Sequence, residues 1–381
     1  MPAAIVTHRN DLPGTAISGV VLAKDLGLEK PNNLNARVFM RKVWIDYLRV
    51  AAIIAVIIIH STTPFFAKFQ EIGPGAWWLA NLLNSAARFA VPLFVMISGA
   101  LLLGRDITFN EFYRKRAIRL LPPVIAWNLI YLFLSPYKEP DTWSLVYYLK
   151  EGLIRGGTAV HLWYLSMFLC LMLFVPFINM LINGEKPGPA HLRILLLLAF
   201  LFFLGNIFAN TAWELGRVEK EIIWFKAFPW YMAYFIAGYY LDRYGDAFTI
   251  KTAHLLILLG VLILFGTALN YSLINSFGFI DDNLIFINTG PIVLPMALII
   301  FQLGKRSSGQ LKENKIVSRI SAASFGIYLI HPIFLHLIID NAPMFYSYAW
   351  LYIPLTIIFT GLASFFTITG LRQLSFMRKI C

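Results

Sequence analysis

Residues 43–65 read VWIDYLRVAAIIAVIIIHSTTPF. As an α-helix this stretch is about 34 Å long at 1.5 Å per residue, enough to cross a hydrocarbon core of roughly 30 Å. Asp46, Arg49 and His60 are the polar exceptions in an otherwise apolar run. Outward from it the pattern recurs over residues 76–103, 120–134, 161–182, 191–209, 227–241, 253–273, 284–303, 320–339 and 347–370. The chain is 59% hydrophobic and only 14% charged, whereas soluble domains use about 25% charged residues. The expected fold is therefore all-α, a polytopic integral membrane helical bundle of about ten transmembrane helices. Residues 1–40 mix charges with Pro13, Gly14, Pro31, Asn32 and Asn33 and contain no long apolar run. They are expected to form a partly disordered cytoplasmic tail, followed by one transmembrane domain over residues 41–381.

The formal charge of +12 does not point to nucleic acid, because the basic residues are not gathered on one soluble face. They alternate between loops instead. Arg105, Arg114, Lys115, Arg116 and Arg119 lie in one loop set with Lys305, Arg306, Lys312 and Lys315. The opposite set holds few, such as Lys138, Lys150 and Lys220. The positive-inside rule makes the first set cytoplasmic, and an even number of spans places both termini there. Cys170 lies in an apolar run and Cys381 at the last position, so no disulfide framework is expected. Two longer loops, 135–160 and 210–226, mix aromatic and charged residues and are candidates to cap an outward-facing cavity.

Charge inside a span costs at least about 2.5–3.5 kcal/mol and calls for a partner, a wet cavity or a function. Arg49 and His60 are eleven residues apart, about 1100° of rotation, so they share a face about 16 Å apart along the axis. Either the two act together or each has a local explanation, Arg49 pairing with Asp46 and His60 bonding a nearby carbonyl. Arg88, Asn128, His161, Trp163, Tyr328 and His331 are further polar or amphipathic candidates. Topology puts His60, His161 and His331 in the outer half or middle of the membrane, where they could converge. His161 and Tyr328 also suit interfacial positions, as does His336. Residues 109–119 read as an interfacial basic helix leading into the third span. Within it Arg116 and Arg119, at i and i+3, suit either a phosphate or anionic lipid headgroups. P-loop, zinc and nucleophile-elbow motifs are absent, which argues against ATP hydrolysis and zinc catalysis.

Several of these segments together resemble the acyltransferase-3 family of membrane O-acyltransferases. Arg49 through His60 resembles the family's Arg/Lys-x10-His signature, and Pro92-Leu93-Phe94 through Ser98-Gly99 its Pro-x-Phe-x-x-x-Ser-Gly segment. Arg116-Ala117-Ile118-Arg119 resembles its Arg-x-x-Arg element, with His161-Leu162-Trp163 and Ser324 through His331 similar to later motifs. The likeness is to stand-alone members that acetylate bacterial exopolysaccharide or enterobacterial common antigen.

The resemblance implies transfer of an acyl group, usually acetyl, from cytoplasmic acyl-CoA to a sugar hydroxyl in a bacterial inner membrane. The acceptor would be a cell-surface glycan or its lipid-linked precursor. It assigns catalysis to His60 and acyl-CoA binding to Arg49, Arg116 and Arg119. Arg88, His161, Trp163, Tyr328 and His331 remain candidates for the cavity or acceptor side. Acetyl-CoA is then a co-substrate, no metal is required, and membrane lipids are partners, with a homo-oligomer left open. The alternative is a transporter or flippase of a lipid-linked glycan, since charges inside spans also mark transport paths.

Overall fold

The computed structural model describes residues 41–66, 73–134, 156–214, 224–277, 288, 290–341 and 348–381. The expected tail over residues 1–40 and most of the 135–160 loop lie outside the described residues, as does the greater part of the 210–226 loop. Among the described residues there are eleven α-helices and no strand. They are α1 (Val43–Phe66), α2 (Pro74–Ala87), α3 (Ala90–Leu102), α4 (Phe109–Leu134), α5 (Trp163–Asn183) and α6 (Pro189–Glu214). The remaining five are α7 (Trp224–Tyr244), α8 (Thr252–Phe277), α9 (Val293–Arg306), α10 (Lys315–Asn341) and α11 (Ala349–Leu371).

Each expected span overlaps a helix among the described residues, and the departures have local causes. The expected span 76–103 is two helices, broken at Arg88 and Phe89. Pro92 has no N–H for the Arg88 carbonyl, so the ladder is interrupted there and resumes with Leu93 N–H donating to Phe89 O at 2.9 Å. The basic segment and third span are a single helix, α4, which carries Pro122 and Pro123 within it. In the eighth expected span, 284–303, residues 284–287 and 289 lie outside the described residues, and α9 starts at Val293, just after Pro291.

Seven helical segments are long and apolar enough to cross a membrane, and the protein is a multi-pass membrane protein. Exposed apolar faces suit lipid: Leu256, Ile257 and Leu264 on α8, one of the seven, are exposed, as are Leu196, Leu197 and Phe200 on the shorter apolar stretch of α6. α7 is less apolar but is packed against α3 and α5, burying Tyr231, Tyr234 and Phe235. Small residues set its approach to α3. A Cβ on Gly99 would stand 1.8 Å from Phe235 O, and one on Gly238 would stand 2.0 Å from Met96 O. Backbones that close gain dispersion contacts, which drive helix association where lipid tails are as apolar as the side chains.

α1 is surrounded by α2, α3, α9, α10 and α11. It is tied to α10 at two levels. Ser321 Oγ donates to Asp46 Oδ1 at 2.6 Å, and the His60 and His331 rings meet with centroids 5.1 Å apart. Residue numbers rise together between those contacts, so the two helices run parallel. α11 runs against α10, its Ile368 filling the space beside Gly326.

Candidate functional site

The residues singled out above fall into two groups at opposite ends of α1. At the Arg49 end, Arg49 Nη1 lies 3.8 Å from Asp46 Oδ1, the i−3 pairing anticipated from spacing. Asp46 is buried and also accepts the Ser321 hydroxyl, so a carboxylate anchored by a second helix holds the guanidinium.

Arg116 and Arg119 stand on α4. Arg116 is half-buried, its guanidinium carbon 5.4 Å from the centre of the Phe112 ring. Its Nε is buried and makes no hydrogen bond among the described residues. Arg119 is exposed. The two therefore differ in burial despite sharing a face. Arg105, half-buried in the loop between α3 and α4, is a third arginine whose charge reaches Arg116. Burial holds its guanidinium below the usual arginine range. Arg105 could not be singled out from spacing, because it lies eleven residues before Arg116 across a turn whose Gly104 is in the left-handed region, φ +68°.

At the other end the structure brings His60, His161, Tyr328 and His331 together. The His331 ring lies 5.1 Å from that of His60 and 5.5 Å from that of His161, between centroids. Tyr328 is 5.6 Å from His161, and its hydroxyl donates to the His161 carbonyl. His161 sits in the 3-10 turn Val160–Leu162 that leads into α5, so two of the contributing elements are helices and one is a turn. His161 and His331 are buried, whereas His60 is half-buried. Tyr131 on α4 completes the wall, its ring 4.9 Å from His161. Its hydroxyl donates to Leu329 O at 2.7 Å. His336 is exposed, as its interfacial reading anticipated, yet its charge bears on both His60 and His161.

Arg88 approaches the same group from the break between α2 and α3. Its Nε donates to Asn84 Oδ1 at 2.6 Å. The Asn84 amide donates in turn to Thr62 Oγ1 at 2.8 Å and to Ile59 O at 3.2 Å. A cation is thereby fastened to α1 one turn around His60, and its charge is the strongest one facing that ring. Trp163 lies beside this group rather than in it, packed on Tyr231 at 5.7 Å. Asn128 is spent on structure: its Oδ1 accepts the Thr158 N–H at 2.9 Å and shapes the approach to the His161 turn.

Chemically, the histidine end offers imidazole nitrogens able to donate or accept a hydrogen bond and to exchange a proton with a hydroxyl. The arginine residues offer hydrogen-bond donors suited to phosphate. Among the described residues no group of three or more His, Cys, Asp or Glu is arranged to hold a metal ion. A shallow groove on α4 is lined by apolar residues, Ala117, Leu121, Ile125 and Leu129 among them, and is suited to lipid.

Known proteins agree with part of this picture. Residues 42–369 match the family model for an acyltransferase domain. The chain is 22% identical over 333 residues to a probable poly-beta-1,6-N-acetyl-D-glucosamine export protein of Staphylococcus aureus strain MSSA476. It is 23% identical over 333 residues to the protein of the same description in strain MRSA252. In both cases the match covers 84% of this chain and 90% of the relative. No solved structure matches significantly. With the family model spanning nearly all of the helical bundle, α1 to α11, the chain belongs to the acyltransferase-3 family.

Proposed function

We propose that the protein transfers an acetyl group from acyl-CoA to a hydroxyl of a bacterial cell-surface glycan or its lipid-linked precursor, with His60 as general base. The observation that carries this reading is the position of His60. It is half-buried, faced by the Arg88 charge, and placed on the same helix as Arg49, eleven residues away. In the reaction the His60 nitrogen takes the proton of the sugar hydroxyl as its oxygen attacks the thioester carbonyl. The C–S bond breaks, and the same proton returns to the leaving thiolate, so none is gained or lost. Arg116, Arg119 and Arg49, with Arg105, would hold the phosphates of the donor. Arg88 would supply the cation that an oxyanion developing on the carbonyl needs.

Both termini and the arginine cluster belong on the cytoplasmic side of the inner membrane under this reading, where acyl-CoA is made. A cysteine at Ser308 should resist an impermeant reagent in intact spheroplasts, and one at Asp281 should react. Outside labelling at Ser308 would reverse the orientation and remove the donor path.

The transfer itself is tested with purified protein in nanodiscs, labelled acetyl-CoA and membranes that supply the acceptor. Label entering the glycan fraction with wild-type protein, and not with His60→Ala, is the expected result. Equal incorporation by both would end the role given to His60.

Glycan export is the second reading, favoured by the printed description of the Staphylococcus aureus relatives. It requires movement of a glycan across vesicles without acyl-CoA. The acyl-transfer reading requires none.

A further inference from the structure

Pro332 interrupts α10 one residue after His331. A proline has no N–H, so the carbonyl four residues earlier, that of Tyr328, loses its helical partner. The imidazole of His331 takes the vacated place, with Nδ1 at 2.7 Å from Tyr328 O. A carbonyl only accepts, so the hydrogen is on Nδ1 and the lone pair is on Nε2. That nitrogen is buried in a fully buried ring and makes no hydrogen bond among the described residues. His161 follows the same logic at the next carbonyl: its Nε2 lies 3.3 Å from Leu329 O and carries the hydrogen. Backbone carbonyls beside the proline thus assign the tautomers of two histidines, and the ring of the third, His60, lies 5.1 Å from that of His331 between centroids.

The two ring planes are inclined by 49° and no hydrogen bond joins them as they stand; with centroids 5.1 Å apart, a turn of the His60 ring that sets nitrogen to nitrogen would bring the two atoms to about 2.7 Å, since each lies about 1.2 Å from its ring centre, which is hydrogen-bond distance. Resting on the acyl-transfer reading above, we infer that His331 is a positioning residue for His60. With the His60 ring so turned, His331 Nε2 accepts its N–H, which leaves the other His60 nitrogen unprotonated and available to the acceptor hydroxyl. When that nitrogen takes the hydroxyl proton, the imidazolium keeps its hydrogen bond to His331, and the proton then passes to the thiolate. No proton moves to His331 at any stage. The arrangement gives a base and its orienter without a carboxylate, the orienter being held in turn by a carbonyl that a proline set free.

Two substitutions separate this role from a structural one. Glutamine can present its carbonyl oxygen near the position of Nε2 but gives up the bond to Tyr328 O. Asparagine can present its amide N–H near the position of Nδ1, keeping that bond, but offers no acceptor to His60. Membranes of the source bacterium, deleted for the gene and complemented with each variant, provide the native acceptor for labelled acetyl-CoA. His331→Gln should keep its maximal rate within about threefold of wild type, and His331→Asn should fall by at least about thirtyfold, given the 10²–10⁴ that a positioned base supplies. The KM for acetyl-CoA should stay within about twofold in both. The reverse order, with asparagine active and glutamine not, would make His331 a helix cap and overturn the inference. Should His331→Asn fail to accumulate, His331→Gln decides alone: near wild type it supports the role, and as low as His331→Ala it overturns it. Wild-type membranes that incorporate no label would instead overturn the acyl-transfer reading itself.

Discussion

The two ends of α1 hold their polar residues by different means. At the Arg49 end charge answers charge: Asp46 holds Arg49, Lys42 lies 2.5 Å from Asp242, and Lys305 lies 3.0 Å from Asp246. Lys305 is buried and adds a bond to Leu241 O at 3.0 Å, so the ion pairs continue from the surface inward. At the His60 end the partners of His161 and His331 are backbone carbonyls and aromatic rings. A carboxylate beside an imidazole stabilises its charged form, whereas a carbonyl orients the ring while adding no net charge. The difference suits one end to binding an anion by fixed cations and the other to orienting neutral imidazoles around the single ring, His60, that exchanges a proton under the proposed reading.

The largest effect that would sharpen this division is at His60. His60→Ala should lower the maximal rate of label transfer by about 10²–10⁴ while leaving the affinity for acyl-CoA unchanged. Weakened acyl-CoA binding with an intact rate would erase the division. His60→Gln, which keeps hydrogen bonding but takes up no proton at neutral pH, should be as inactive as the alanine variant.

At the other end the expected signs are reversed. Arg116→Ala and Arg119→Ala should each weaken acyl-CoA binding by roughly 10- to 150-fold, the equivalent of a charged hydrogen bond of about 1.5–3 kcal/mol. Binding is measured by isothermal titration in detergent, with membrane insertion unaltered. Unchanged affinity in both variants would return these arginines to a lipid headgroup role.

A smaller effect is expected at Ser321, which touches the site only through Asp46. Ser321→Ala should raise the KM for acyl-CoA by a few-fold, as the loss of a neutral hydrogen bond worth about 1 kcal/mol would do. A fall in maximal rate instead would show that the α1–α10 contact couples the two ends. The smallest expected quantity is that coupling. In the Arg119→Ala, His331→Asn double variant the free-energy changes in kcat/KM should add within about 0.5 kcal/mol, as for sites without shared partners.

Much of the bundle was legible in advance because a membrane span is a local property. Apolar length locates α1, α5, α8, α10 and α11 without knowledge of any neighbour. Even the break at Arg88 has its cause four residues along, at Pro92, a signal that the uniform apolarity of residues 76–103 conceals. His60 and Arg49 stand out through expense in lipid and a shared helical face. Tyr131, Asn84 and Arg105 do not, since a tyrosine near a span end, an asparagine in a helix and an arginine in a basic loop each have an ordinary local reading.

The residues alone therefore determined the class of solvent, the approximate location of the helical segments and the histidine and arginines worth attention. Those follow from periodicity and transfer energy, which each segment carries in itself. Tertiary structure decided which polar residues share a partner: Ser321 with Asp46, Arg88 with Asn84, and His161 and Tyr131 with the single carbonyl of Leu329. It also decided which nitrogen of His331 keeps a lone pair, because a tautomer is set by the atom that packing brings within hydrogen-bond distance.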